Sequence, residues 1–176
     1  MTETILDAKG FEEAVKRIVN EIYKSSDKPE TFVIIGIHSN GVFIAKRILK
    51  ELELLAGIKI PFGTLDITLY RDDIDNLGAS SHEIKDTSIP FDIDISQKNI
   101  ILVDDVLYTG RTIRAALDVL MSFGRPQSIK LAAFVDRGNR ELPIEPNFVG
   151  IKYQSDTKIK VECKETGKED RVFVLK

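Results

Sequence analysis

The sequence predicts an open α/β domain, a mainly parallel sheet with helices on both faces. Three observations lead there. The apolar pattern switches repeatedly between the helical and the strand period. Its apolar runs, residues 32–37 and 100–103, are strand-sized and unbroken, as expected for strands buried on both sides. The chain has 176 residues, the size of one domain, with no long linker, low-complexity tract or internal repeat.

Taken in order, Phe11, Val15, Ile18, Val19, Ile22 and Tyr23 recur at helical spacing and form one apolar face. Residues 31–35 read as a short buried strand closed by Gly36. A second helix follows over residues 42–55, with Ala45, Ile48, Leu49 and Leu52 on one stripe and Gly57 near its stop. Leu65, Ile67 and Leu69 alternate with Asp66, Thr68 and Tyr70, the pattern of a half-exposed strand. Residues 71–91 turn polar, and so long a connection inside a compact domain is usually functional or mobile. Residues 100–103 are wholly apolar and therefore a central strand. Ile113, Ala116, Leu117, Leu120 and Met121 then mark a helix closed by Gly124 and Pro126. Residues 131–135 and 148–153 supply further strands, and the tail over 158–175 alternates weakly. Strands alternating with helices imply the parallel sheet, and such sheets bind ligands beyond the carboxyl ends of their strands.

Composition narrows the function classes. The chain is 43% hydrophobic and 30% charged, as in soluble globular proteins. Lys and Arg number 25 against 28 Asp and Glu, a formal charge of −3. That argues against a generally basic nucleic-acid coat and leaves room for a local basic face. The single cysteine, Cys163, cannot bridge internally and fits a reducing compartment, most simply as a packing residue or surface thiol. No run approaches a membrane span, and the first residues lack the basic start and apolar core of a signal peptide. The cytoplasm is the expected location.

One turn carries chemistry. Ile100-Ile101-Leu102-Val103 runs into Asp104-Asp105, then Val106-Leu107-Tyr108-Thr109-Gly110-Arg111-Thr112, then a helix. Adjacent carboxylates repel and call for cationic or hydroxyl partners. The small, hydroxyl-rich turn opening a helix offers N–H groups to a phosphate; Thr109 and Thr112 add hydroxyls, and Gly110 lets backbone approach an anion. A ligand with a phosphate and a nearby vicinal diol, such as ribose 5-phosphate, satisfies both halves. The plainer alternative is an acidic pair that only caps or solvates a strand end.

The stretch from Val103 to Thr112 resembles the phosphoribosyl-pyrophosphate motif of type I phosphoribosyltransferases. Three further segments narrow the likeness to the bacterial family of pyrimidine operon attenuators that are also uracil phosphoribosyltransferases: Asp66-Ile67-Thr68-Leu69-Tyr70-Arg71-Asp72-Asp73, Gly124-Arg125-Pro126, and Val135-Asp136-Arg137-Gly138-Asn139-Arg140-Glu141-Leu142-Pro143-Ile144. The likeness spans residues 5–150.

It implies a type I phosphoribosyltransferase fold with a small hood or lid region, one domain over residues 1–176, and transfer at the anomeric carbon of Mg²⁺-bound phosphoribosyl pyrophosphate to uracil, giving UMP. The magnesium is implied as a companion of the substrate pyrophosphate, with no assigned protein ligand. Asp104 and Asp105 then accept the ribose hydroxyls, and Tyr108, Thr109, Gly110, Arg111 and Thr112 hold the 5-phosphate. Residues 71–91 form the lid, with Arg71 entering the site as a catalytic residue. Val135, Asp136 and Arg137 face the base, while a plain surface arginine is an equal reading of Arg137. The family's pyrophosphate loop corresponds to His38, Ser39, Asn40 and Gly41, where two expected cations are replaced by His38 and Asn40. Its RNA-contacting positions correspond to Lys16, Arg17, Asn20, Asn139 and Arg140, with both histidine positions changed to asparagine. The implied partners are phosphoribosyl pyrophosphate, uracil, UMP and pyrimidine leader mRNA, on a homodimer or larger homo-oligomer.

Four alternatives are weighed. A nucleotide-sensing RNA regulator with little catalysis would keep the site for binding alone. A purine phosphoribosyltransferase would share the ribose turn but not residues 138–144. A phospho-acceptor receiver domain would place its acidic pair at the first strand. NAD and ATP sites lack their glycine-rich motifs in the required context.

Overall fold

The computed structural model describes residues 2–68, 94–164 and 169–175. Arg71, the lid expected over 71–91, and residues 69–73 of the second matching segment lie outside the described residues. The chain runs β1 (Thr2–Leu6), α1 (Ala8–Lys24), a 3-10 turn (Pro29–Thr31), β2 (Phe32–Ile37), α2 (Asn40–Ala56) and β3 (Phe62–Leu65), then β4 (Asn99–Leu107), α3 (Arg111–Ser122), β5 (Ser128–Asp136), β6 (Phe148–Lys152), β7 (Ile159–Glu162) and β8 (Arg171–Leu175).

β3, β2, β4, β5 and β6 pair in that order, all parallel. Strand alternation divides their apolar side chains between two cores. Ile34, Ile101, Val103, Ala132 and Phe134 pack with α1 and α2 on one face. Val33, Ile35, Ile37, Ile100, Leu102, Leu131 and Ala133 pack with α3 on the other. Each fully buried Ile, Leu or Phe of these layers contributes about 1.5–3 kcal/mol. α1 buries Phe11, Ala14, Val15, Ile18, Val19 and Ile22, and its N-cap Asp7 accepts from Gly10 N at 2.8 Å, a cap of about 1 kcal/mol. Helices therefore lie on both faces, as expected.

Several boundaries differ from the sequence reading. Gly36 does not close β2 but lies within it, because a Cβ there would stand 2.7 Å from Val42 Cα and 2.9 Å from Ala45 Cβ. It is the point where α2 presses onto the sheet. Of the half-exposed strand expected from Leu65 onward, the described residues 66–68 are not strand: β3 ends at Leu65, and Asp66 and Ile67 are both buried. The reason is local, since Asp66 Oδ1 accepts from Thr68 N (2.8 Å) and Thr68 Oγ1 (2.6 Å), turning the chain out of the sheet. β4 runs past its apolar stretch to Leu107, because Asp104, Val106 and Leu107 stay in register with Ala133, Val135 and Asp136 of β5. Tyr23 and Met121, placed on apolar stripes by their spacing, are exposed at 38% and 60%.

The weakly alternating tail forms β7 and β8, which join β1 in a three-stranded antiparallel sheet ordered β1-β8-β7. β1 was not anticipated: Thr2 pairs with Leu175 across nearly the whole chain. Ile159, Val161, Cys163, Val172 and Val174 pack into the core shared with α1 and α2, so this hood rests on the main sheet.

Cys163 is buried. Burial, reinforced by the Asp170 carboxylate, pushes its thiol up to about 11 against the opposing effect of Arg47. The native protein is therefore expected to resist alkylation by iodoacetamide at pH 8 and to react quickly once denatured. A native rate like that of free cysteine would contradict this packing. Among the described residues no helix is long and apolar enough to cross a membrane.

Candidate active site

The order of the parallel strands reverses between β2 and β4. From β2 the chain moves outward to β3, and from β4 it moves the other way to β5 and β6. Crevices at such reversals, beyond the carboxyl ends of the strands, are where open α/β sheets bind ligands. The turn after β2 and the turn after β4 meet at this crevice, and each opens a helix.

Asp104 and Asp105 occupy the last part of β4. Asp104 is 4% exposed, and its Oδ1 accepts from Asp105 N at 2.9 Å. Asp105 is half-buried; its Oδ1 accepts from Val106 N (2.8 Å) and its Oδ2 from Asn40 Nδ2 (3.0 Å). The same Asn40 amide donates to the Val161 carbonyl of β7 at 3.0 Å. Asn40 thus joins three parts of the fold: the first residue of α2, the acidic pair and the hood. The sequence reading placed Asn40 where a cation for pyrophosphate was expected; its amide is instead directed at Asp105.

The turn that carries Asn40 is positioned by backbone. His38 N donates to Leu65 O at 2.9 Å, and the His38–Ser39 peptide is cis. Ser39 is the N-cap of α2 without a side-chain cap bond. Gly41 lies against β4 so closely that a Cβ would stand 2.7 Å from Val103 O and 3.2 Å from Asp104 Cα. This contact brings the N-terminus of α2 to the acidic pair.

The second turn holds Tyr108, Thr109 and Gly110. Gly110, at φ 93, is the N-cap of α3, and no side-chain cap bond is made. Arg114 N donates the first helical bond, to Gly110 O at 2.9 Å. The N–H groups of residues 111–113 come before it, at the positive end of the helix dipole. Arg111 N is directed at Thr109 Oγ1 at 3.3 Å, and Arg111 Nε pairs with Glu141 Oε2 at 2.7 Å. Two helix N-termini, those of α2 and α3, therefore flank one carboxylate pair. An anion at each end and a polyol between them match this distribution of charge.

Beyond β5, Val135 is fully buried, so its side chain is core and only its backbone can meet a ligand. Asp136 Oδ1 accepts from Gly138 N (3.0 Å) and from Arg140 Nη2 (2.7 Å). The guanidinium of Arg137 lies 3.9 Å from the centroid of the Tyr108 ring and donates to Ser155 O (2.9 Å) and Asp156 O (3.1 Å). Arg140 is 13% exposed along its side chain and is taken up by the carbonyls of Ile144, Tyr108 and Gly138 as well as by Asp136.

The remaining sequence candidates lie on α1 and on the turn tip. Lys16 pairs with Glu12 at 2.5 Å, Asn20 Nδ2 donates to Lys16 O at 2.9 Å, and Arg17 reaches the Gly150 carbonyl of β6. All three are exposed, as is Asn139 at φ 53. Lys16 also lines a groove of about 520 Å³ between α1 and α2, where Lys9, Arg47 and Lys50 face Glu12, Glu51 and Asp170. Charges in that groove nearly balance, so it adds little to a basic face.

Sequence reasoning missed the partners that fix the site: Val161 O, Glu141, Leu142 and the carbonyls of Ser155 and Asp156. Most act through backbone atoms, which carry no signal in side-chain identity. Asp66 is the exception: 8% exposed at the carboxyl end of β3, beside the His38 turn, it acts through its side chain, but it fell at a polar position of the alternation and so read as facing solvent.

The family described as phosphoribosyl transferase domain matches residues 1–169. The chain is 62% identical to a protein named "Bifunctional protein PyrR" from Endomicrobium trichonymphae, with all of both chains covered. It is 47% identical to the protein of that name from Latilactobacillus sakei, over 100% of this chain and 99% of the other. Among solved structures, a hypoxanthine-guanine phosphoribosyltransferase from Bacillus anthracis superposes with a TM-score of 0.71 at 18% identity, covering 98% of each chain. At that identity the likeness is one of fold.

Proposed function

The chain belongs to the phosphoribosyl transferase domain family and groups within it with the bifunctional PyrR proteins; from that premise we propose that it makes UMP and pyrophosphate from uracil and phosphoribosyl pyrophosphate. The observation that supports this most is the acidic pair of β4 set between the N-termini of α2 and α3. In this reading the 5-phosphate binds at residues 108–112, the ribose diol meets Asp104 and Asp105, and pyrophosphate lies toward His38, Ser39, Asn40 and Gly41. The bond from the anomeric carbon to pyrophosphate breaks, a bond to uracil N1 forms, and the N1 proton is released. Positive charge developing on the sugar is stabilised by the nearby carboxylates. The base sits toward the backbone of residues 135–137. Arg71 and residues 71–91 are proposed, on sequence grounds, to exclude water from the reacting sugar.

Among the described residues no three His, Cys, Asp or Glu side chains gather as a metal cage. Mg²⁺ is proposed to arrive on the pyrophosphate, since magnesium keeps several waters and needs few protein carboxylates. Half-buried Asp105, next to the α2 turn, is the carboxylate placed to meet it. When bound, the ion would neutralise charge on the leaving group.

The test is turnover with uracil and Mg²⁺, beside hypoxanthine and guanine. Pyrophosphate release with uracil is expected; release with a purine alone, or with no base, rejects the reading. His38→Lys adds the missing cation without disturbing Asn40 and is expected to raise kcat at least tenfold and at most by the roughly 10²–10³ that one such charge can supply. An unchanged rate would show that the leaving group lacks no cation.

A second reading rests on the exposed Lys16, Arg17, Asn20 and Asn139. We propose that they bind pyrimidine leader mRNA in a nucleotide-dependent way, on a cytoplasmic homodimer or larger assembly of dimers. Binding should weaken as salt rises and fall in Lys16→Ala and Asn139→Ala. Arg140, being enclosed, is a poorer probe. Absence of binding at low salt would end this reading, and light scattering reads the oligomeric state.

A further inference from the structure

We infer that the turn over residues 137–142 is a template that shapes the phosphate-binding turn, with Arg140 as its positioning residue; this rests on residues 108–112 being the 5-phosphate site. Three consecutive carbonyls, that of Leu107 at the end of β4 and those of Tyr108 and Thr109 in the site, are all bound by the one segment. Leu107 O accepts from Arg137 N at 2.9 Å, Tyr108 O from Arg140 Nη1 at 3.1 Å, and Thr109 O from Glu141 N (3.0 Å) and Leu142 N (3.1 Å).

The consequence follows from the peptide bond itself. In a planar trans peptide, a carbonyl and the next residue's N–H point in opposite directions. Fixing the oxygens of residues 107, 108 and 109 toward the template turns the N–H groups of 108, 109 and 110 the other way, beside those that open α3. Successive N–H groups on one side form an anion-binding concavity. The template also removes carbonyl oxygens, which would repel a phosphate, from its mouth. Gly110 lets the two turns close, since even a Cβ there would lie 3.3 Å from Ile144 Cβ and 3.4 Å from Leu142 Cβ.

Of the four donors, three are backbone N–H groups, and only the Arg140 guanidinium is a side chain open to substitution. It is held in place by Asp136 Oδ1 (2.7 Å) and Ile144 O (2.8 Å), so its Nη1 is aimed at Tyr108 O from a fixed fork. A lysine, a point charge without that fork, keeps the charge but cannot make these bonds together. Glu141 adds a second, exposed link through its ion pair with Arg111.

The inference separates phosphate binding from base binding and from stability. Ribose 5-phosphate is titrated calorimetrically against the wild type, Arg140→Lys, Arg140→Ala and Glu141→Gln, and KM is measured for phosphoribosyl pyrophosphate and for uracil. Arg140→Ala and Arg140→Lys are expected to weaken ribose 5-phosphate binding about tenfold or more, one hydrogen bond to a charged group being of that order. KM for phosphoribosyl pyrophosphate should rise alongside while KM for uracil stays within twofold. Glu141→Gln should weaken the sugar phosphate two- to threefold. If Arg140→Ala does not fold, the lysine and Glu141 variants carry the comparison. Undiminished binding in the folded variants, or equal losses for both substrates, overturns the template. Failure of the wild type to bind ribose 5-phosphate overturns instead the reading of the site on which it rests.

Discussion

Asp105→Asn is expected to lower kcat/KM for phosphoribosyl pyrophosphate by roughly 10²–10³ while leaving the fold intact. The substitution keeps the side chain's size, removes its charge and turns one of its two accepting oxygens into an NH2 group, which gives up the bond from Val106 N when the remaining oxygen faces Asn40. An amide oxygen can still accept from Asn40 Nδ2, which now donates at 3.0 Å to the carboxylate, and so the link from α2 to the hood survives. On the proposed reading, what is lost is the negative charge facing the sugar as it becomes cationic, and a pre-placed group of this kind is worth a few kcal/mol where water is excluded. Asp104→Asn should cost a similar factor, with a larger loss of stability, because that carboxylate is 4% exposed and also holds Asp105 N. Steady-state rates, with unfolding followed in parallel, check both. A rate within threefold of the wild type in the folded Asp105→Asn protein would mean that the acidic pair only finishes a strand.

The fold was legible where local periodicity decides the outcome. Phe11, Val15, Ile18, Val19 and Ile22 face the core because a 3.6-residue period puts them on one stripe, whatever they pack against. Residues 100–103 had to be central because all four are apolar, and they are. Strand ends were less legible. β4 continues through two aspartates because β5 remains alongside it, and a partner strand some thirty residues away leaves no mark on the local pattern. β1 shows the limit most plainly, being identified only by its pairing with β8. A sequence of five residues that is mostly exposed has no period to read.

The site divides in the same way. Asp104, Asp105 and Gly110 stood out as candidates because residue type alone marks an acidic pair in a strand and a glycine at a helix start. The roles of Asn40 and Arg140 were not, because each is defined by what it reaches: 65 and 121 residues away for Asn40, and 32 for the bond from Arg140 to Tyr108. The sequence marked Asn40 as a lost cation and Arg140 as a nucleic-acid contact. In the structure both serve as struts between turns, which is a matter of tertiary hydrogen bonding.

Gly41→Ala is expected to destabilise the protein by about 1–3 kcal/mol, the usual cost of forcing a methyl into packed structure, and to depress kcat/KM beyond what stability explains. The added Cβ would meet Val103 O at 2.7 Å and Asp104 Cα at 3.2 Å, both of them backbone. β4 cannot yield, since Val103 is paired with Gly36 on one side and Ala132 on the other. The first turn of α2 must move instead, carrying Asn40 away from Asp105 and Val161. The N-terminus of α2 then withdraws from the place proposed for pyrophosphate. Gly57→Ala supplies the contrast. It lies at the far end of the same helix at φ 69, with nothing within 4 Å of a Cβ, so it costs only the left-handed strain of about 1–2 kcal/mol. Comparable losses of stability should therefore leave Gly57→Ala active and Gly41→Ala impaired. Equal activity in the two variants, measured by turnover at a temperature where both are folded, would show that the contact between α2 and β4 supports the fold and not the reaction.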